Sequence, residues 1–197
     1  MEPDRFYGPG SRYLQERAGT RRLADHLAGR YVLDALEPAH VAWVLAADSV
    51  FVSTVAHDGQ PEVSYKGGLP GFVQVPDSRT LEIPSFDGNG MFRTLGNARD
   101  HGRVGLLFLV EEPRAKLRIH ASAEVAMDAP TLARHRGAQV VMRAHVSAVF
   151  ENCPRYLHDR AAGTHSADCP RPSHTPPTPA WKLKREYEGL IPRPDPR

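Results

Sequence analysis

Ser64 and Lys66 stand two residues apart in V-S-Y-K-G-G-L-P-G-F. A hydroxyl and an ammonium at that spacing suit a phosphate, the first donating a hydrogen bond and the second acting as a point charge. Some twenty residues on, Asp87-Gly88-Asn89-Gly90 reads as a tight turn into a short helix that ends at Leu95-Gly96-Asn97. The first turn of a helix offers unpaired backbone N–H groups, and glycines let an anion come close to them. Arg93, three or four residues inside that helix, adds a second positive charge. The ordinary alternative stands beside this reading: a polar hairpin face, and a corner in which Asp87 or Asn89 caps the helix and Gly96 closes it.

The elements that must position these groups are legible from periodicity. Phe51–Ala56 and Pro61–Lys66 flank His57-Asp58-Gly59-Gln60, and an Asp-Gly pair between two apolar runs predicts a hairpin. Strand alternation then puts Glu62, Ser64 and Lys66 on one face and Val63 and Tyr65 on the other. T-L-E-I-P at Thr80–Pro84 reads as a strand, as do the apolar run Val104–Val110 and the alternating Lys116–Val125 and Gln139–Phe150. About seven strands with only short helices between them predict a mainly β, α+β protein built on a barrel or sandwich. No G-x-G-x-x-G follows a strand in the manner of a dinucleotide-binding fold. Residues 1–46 read as helical, with Leu23, Leu27 and Tyr31 at helical spacing and Pro38 opening a further segment.

These residues resemble a known family, the flavin-nucleotide-binding proteins related to pyridoxamine 5'-phosphate oxidase, in particular a bacterial subgroup of unassigned substrate. The marks are S-R-Y-L-Q-E-R-A-G-T-R-R-L-A-D-H-L, V-S-Y-K-G-G-L-P-G-F, F-D-G-N-G-M-F-R-T-L-G-N, V-G-L-L-F and N-C-P-R-Y-L, in that order across about residues 10–160. The resemblance implies an FMN-binding split β-barrel of about 6–8 antiparallel strands, with the cofactor at a homodimer interface. It assigns the phosphate to Lys66, with Ser64 beside it, and to Phe86, Asp87, Gly88, Asn89 and Gly90. Where the oxidase has adjacent basic residues at that turn, this chain has Gly88-Asn89-Gly90, so binding leans on backbone N–H groups, Lys66 and Arg93. Candidate wall residues for the flavin ring are Tyr65, Phe86 and Arg118, with Arg155, Tyr156 and Trp181 contributed across the dimer; for each aromatic one, core or interface packing stands as the alternative. The implied function is an FMN-dependent oxidoreductase acting on a small molecule. The alternative is a non-catalytic flavin-, deazaflavin- or haem-binding split-barrel protein. Pyridoxamine phosphate oxidation itself is not supported, because that enzyme's C-terminal substrate-binding pattern is missing from the proline-rich tail.

Composition narrows the remaining classes. A net charge of +2 with dispersed basic residues gives no electrostatic case for nucleic acid. No apolar run is long enough for a membrane helix, and the polar start Met1-Glu2-Pro3-Asp4 is unlike a signal peptide, so a cytoplasmic protein is expected. Two cysteines make no disulfide framework. Residues 1–160 are expected to form one domain, and 161–197, rich in proline and containing P-R-P-S-H-T-P-P-T-P-A, an extended tail that docks through Trp181 and a short helix after it. Cys153, His158, His165, Cys169 and His174 concentrate metal-binding side chains, but their spacing fits no compact ligand pattern, and no metal is expected. Cys153 reads instead as a buried structural cysteine. No G-x-S-x-G elbow nominates a hydrolytic nucleophile.

Overall fold

A computed structural model describes residues 1–159 and 162–192, so the boundary expected at 160/161 lies outside the described residues. The chain gathers into two compact units. In one, three helices, α1 (Pro3–Phe6), α2 (Pro9–Arg17) and α3 (Arg21–Tyr31), join the described residues from Cys153 onward. Arg12 ties these helices together, donating to Asp25 Oδ1 at 2.6 Å and to Asp4 Oδ1 at 2.5 Å. Leu23 and Ala28 form the buried face of α3, while Tyr31 is exposed. After the proline-rich stretch, Ala180–Leu183 and Arg185–Tyr187 make two 3-10 turns. Tyr187 is buried there, its ring 5.2 Å from that of Trp181 and its hydroxyl donating to Tyr31 Oη at 3.0 Å.

The other unit, Leu33–Asn152, carries the sheet. Helix α4 (Pro38–Ala46) opens at a proline, whose missing N–H is harmless in a first turn. Seven strands follow: β1 (Ser49–Val55), β2 (Pro61–Gly67), β3 (Gln74–Asp77), β4 (Thr80–Ser85), β5 (Arg103–Val110), β6 (Ala115–Ala126) and β7 (Val140–Asn152). Helix α5 (Arg93–His101) lies between β4 and β5, and α6 (Ala129–Ala133) between β6 and β7. All ladders are antiparallel, in the order β2-β1-β5-β6-β7-β4-β3. This mainly β arrangement with flanking helices is the split barrel. Its core takes alternate residues of β1, β4, β5, β6 and β7, among them Val50, Val52, Leu81, Ile83, Leu106, Phe108, Leu117 and Ile119, with Val44 of α4 and Leu95 of α5 closing over them.

One local expectation is corrected. Helix α5 begins at Arg93 and runs past Gly96 to His101, where Gly102 takes the left-handed conformation (φ 59°) that ends it. Gly96 is an interior residue, and Asn97 turns its side chain to Thr54 and Glu62 instead of closing the helix. Strand β3, which carries no clear alternation, joins the edge beside β4 with an irregular register. The K-G-G-L-P-G-F run has a steric reason. A Cβ at Gly68 would sit 2.6 Å from the Phe72 side chain, so only glycine lets the chain fold back beneath Lys66 and bury Phe72.

Candidate functional site

The hairpin predicted by Asp58-Gly59 forms, with Phe51 opposite Tyr65 and Val52 opposite Ser64. Its two faces are inverted from the usual polarity. Glu62, Ser64 and Lys66 are half-buried, whereas Val63 and Tyr65 are 70% and 62% exposed. The half-buried face opens on a cleft of ≈ 390 Å³ whose other wall is the turn after β4 and the start of α5. Ser64, Tyr65, Lys66, Phe86, Asp87, Gly88, Asn89, Gly90 and Arg93 all border it.

Charge in the cleft is unevenly committed. Arg93 donates through Nε to Glu62 Oε1 at 2.7 Å, with its Nη2 also against that oxygen, and Asn97 Nδ2 donates to Glu62 Oε2 at 2.7 Å. Arg93, foremost, and then Asn97 hold the Glu62 carboxyl below its usual range despite partial desolvation. The arginine is the first residue of α5, not an interior one, and its charge is already answered. Lys66 differs: among the described residues it has no hydrogen-bond or ion-pair partner, and burial lowers its pKa. Ser64 Oγ beside it is sealed from solvent and likewise lacks a partner among the described residues. A half-buried cation next to an orphaned hydroxyl is unfavourable unless an anion completes it.

The turn opposite is built to stay open. Asn89 Oδ1 accepts from Met91 N at 3.0 Å, Gly90 adopts φ 73°, and a Cβ at Gly88 or Gly90 would meet nothing within 4 Å. Asp87 Oδ1 accepts from Gln139 Nε2 at 3.0 Å, and Gln139 N donates to Ser85 O at 2.9 Å, so the turn is pinned from behind. Neither Asp87 nor Asn89 caps α5; Phe92 stands at the N-cap. Met91, Phe92 and Gln139 are cleft residues that motif reading passes over. A residue following an Asx turn was the available signal for the first two; nothing local marks Gln139.

The remaining candidates lie elsewhere. Arg118 pairs with Leu107, which pairs with Phe51, which pairs with Tyr65. It therefore shares the face of Tyr65 and does not border the cleft. Arg155, Tyr156 and Trp181 belong to the helical unit. There Arg155 Nε is 3.1 Å from Asp168 Oδ1 and its guanidinium is 5.2 Å from the Tyr156 ring centre. Cys153 is exposed, not buried, because it follows the last residue of β7 and leaves the sheet. His158 and His165 stack edge to face, and His174 Nε2 is 2.6 Å from Ala167 O. Among the described residues no three His, Cys, Asp or Glu side chains gather as a metal site, and no helix is long and apolar enough to cross a membrane.

The sequence model of the pyridoxamine 5'-phosphate oxidase family matches residues 36–164. The chain belongs to that family. The family match spans α4 and every strand of the barrel, hence both walls of the cleft. No curated protein matches the chain. Among solved structures, it is similar to HupZ of Group A Streptococcus, with 19% identity over 59% of this chain and 94% of that one (TM-score 0.46). A candidate pyridoxamine 5'-phosphate oxidase of Lactobacillus delbrueckii shares 22% identity over 60% of this chain and 95% of its own (TM-score 0.47). An FMN-binding protein of Syntrophomonas wolfei shares 10% over 57% and 84% respectively (TM-score 0.42).

Proposed function

We propose that this protein binds FMN by its phosphate in the cleft and acts as an FMN-dependent oxidoreductase on a small molecule. The observation that carries this reading is the pairing of a partly desolvated Lys66 with the Ser64 hydroxyl, both without a partner among the described residues, across the cleft from an open glycine turn. Lys66 would supply the charge, Ser64 a hydrogen bond, and Gly88 and Gly90 close backbone approach. The bound isoalloxazine ring supplies hydride and electron transfer, which is why the cleft needs no acid-base pair of its own. The residues here hold the phosphate, shield it and shape the space beside it.

A homodimer is part of the same proposal. The cross-strand row Tyr65, Phe51, Leu107, Arg118 and Phe150 shares one face of the sheet, with Tyr65 and Arg118 exposed and the other three half-buried, a largely aromatic and apolar row that a second copy could cover. Arg155, Tyr156 and Trp181 would then reach the cofactor from the other copy. Both cysteines are free thiols, as suits a reducing cytoplasm.

Titration of purified protein with FMN, followed by flavin fluorescence, tests the binding. Anaerobic reduction by a nicotinamide cofactor and reoxidation by candidate acceptors then separate an enzyme from a carrier. A colourless protein with no fluorescence response to FMN would sink the proposal. A narrower test concerns Arg93: Glu62→Gln is expected to release it toward the phosphate and tighten FMN binding by about tenfold, the value of one charge-assisted hydrogen bond. Unchanged affinity in that variant means that Arg93 does not reach the phosphate.

A further inference from the structure

Phe92 is one of two non-glycine residues with positive φ among those described, at φ 49° and ψ 22°. A bulky side chain in the left-handed region is costly, and such strain persists only where the surroundings enforce it or a function uses it. Glycine or asparagine would serve better here on both counts, being tolerant of this backbone and favoured at a helix N-cap.

The free protein gains little from the ring. It is 47% exposed, and the preceding Met91 is 63% exposed. Among the described residues no aromatic ring or cation packs on it. What the backbone does achieve is placement. Phe92 O accepts the first helical hydrogen bond of α5, from Gly96 N at 2.7 Å, while Asn89 fixes Met91 from the other side. Met91 and Phe92, a few residues beyond the glycine turn, are thus held where they line the same cleft as Lys66 and stay largely exposed.

Resting on the FMN reading above, we propose that Phe92, with Met91 beside it, packs against the planar ring system of the ligand whose phosphate Lys66 holds. The strained backbone is the device that aims it. The residue selects for a flat aromatic group joined to the anion and contributes nothing to the anion itself.

The test compares Phe92→Gly, Phe92→Asn and Phe92→Trp with the wild type, using FMN and inorganic phosphate as separate probes. Relief of the left-handed strain should raise the melting temperature of ligand-free Phe92→Gly and Phe92→Asn by about 2 °C. Their FMN dissociation constants should rise about tenfold, while the thermal shift produced by inorganic phosphate stays as in the wild type. Phe92→Trp should keep wild-type FMN affinity. Wild-type protein that binds FMN while Phe92→Gly binds it equally well overturns this inference alone. Equal weakening of FMN and inorganic phosphate also overturns it, since Phe92 would then merely shape the turn. Ligand-free variants that melt no higher than the wild type remove the strain argument. Wild-type protein that binds no FMN overturns both this inference and the reading beneath it.

Discussion

Replacing Lys66 with methionine is expected to weaken FMN binding by on the order of 10- to 150-fold, equivalent to about 1.5 to 3 kcal/mol for a charge-assisted phosphate contact. Methionine keeps the apolar stem and removes the charge, so the ligand-free protein should lose nothing and melt slightly higher. The same logic sets a pH dependence. Burial lowers the Lys66 pKa, so across the alkaline range the unfolded chain binds this proton more tightly than the folded one. The ligand-free protein therefore gains stability as pH rises through the lowered value toward the ordinary 10.5, and carries the cost of the charge below it. A phosphate reverses the balance by favouring the protonated lysine. FMN affinity should accordingly fall on the alkaline side, at a pH below 10.5, and that alkaline limb should vanish in Lys66→Met. Fluorescence titrations across pH read both effects, and a variant with the wild-type dissociation constant contradicts the assignment.

Glu82→Ala should have the largest effect on stability, a loss of about 3 to 5 kcal/mol, because the buried His135 would lose its partner and Arg134 and Arg143 the carboxylate that joins them, though Arg143 keeps Glu124. Glu82 is 1% exposed. Arg134 Nη2 donates to its Oε1 at 2.7 Å, Arg143 Nη2 to the same oxygen at 3.0 Å, and His135 Nε2 lies 3.0 Å from Oε2. For a chain of this size the loss corresponds to a melting temperature lower by about 6 to 20 °C. Glu82→Gln, which keeps some hydrogen bonds, should lose less. Burial alone pushes the carboxyl up; the hydrogen bonds from His135, Arg134 and Arg143 outweigh it and hold the pKa below 4.5. This contribution is therefore fully present above about pH 4.5 and disappears as pH falls through the lowered value. Denaturant melts at neutral and acid pH measure it, and a Glu82→Ala protein as stable as the wild type contradicts the account. The cluster also bears on the cleft, since the chain leaving His135 leads within a few residues to Gln139, which pins Asp87.

The parts of the site legible in the sequence were those fixed by local rules. Asp58-Gly59 set the hairpin, and strand phase alone put Ser64 and Lys66 together. The parts that were not legible depend on distant partners. Nothing near Arg93 says that Glu62, on another element, consumes its charge, and nothing in T-L-E-I-P says that its glutamate is sealed under Arg134, His135 and Arg143. Gly96 and Asn97 look like a stop signal for α5, yet the helix extends to His101. Gly96 has open space around it and Asn97 is drawn away to Thr54 and Glu62, so the helix continues to Gly102. Arg118 sits on the strand where it was expected, but its register with Leu107 carries it to the face away from Ser64 and Lys66.

The strand order has a kinetic consequence. Lys66 sits in a hairpin that can form from a few neighbouring residues, on the microsecond scale typical of such units. The glycine turn opposite is anchored through β4, whose sheet partner is β7, with Thr80 opposite His145 and Ser85 opposite Val140. Loop closure over such a span is slow, and a chain growing from its N-terminus cannot complete it until β7 has been synthesised. The two halves of the anion cradle therefore mature at different times, the lysine early and the turn late. On the proposed reading, FMN would be captured only by a nearly finished barrel, as a final step of assembly and not as a template for it.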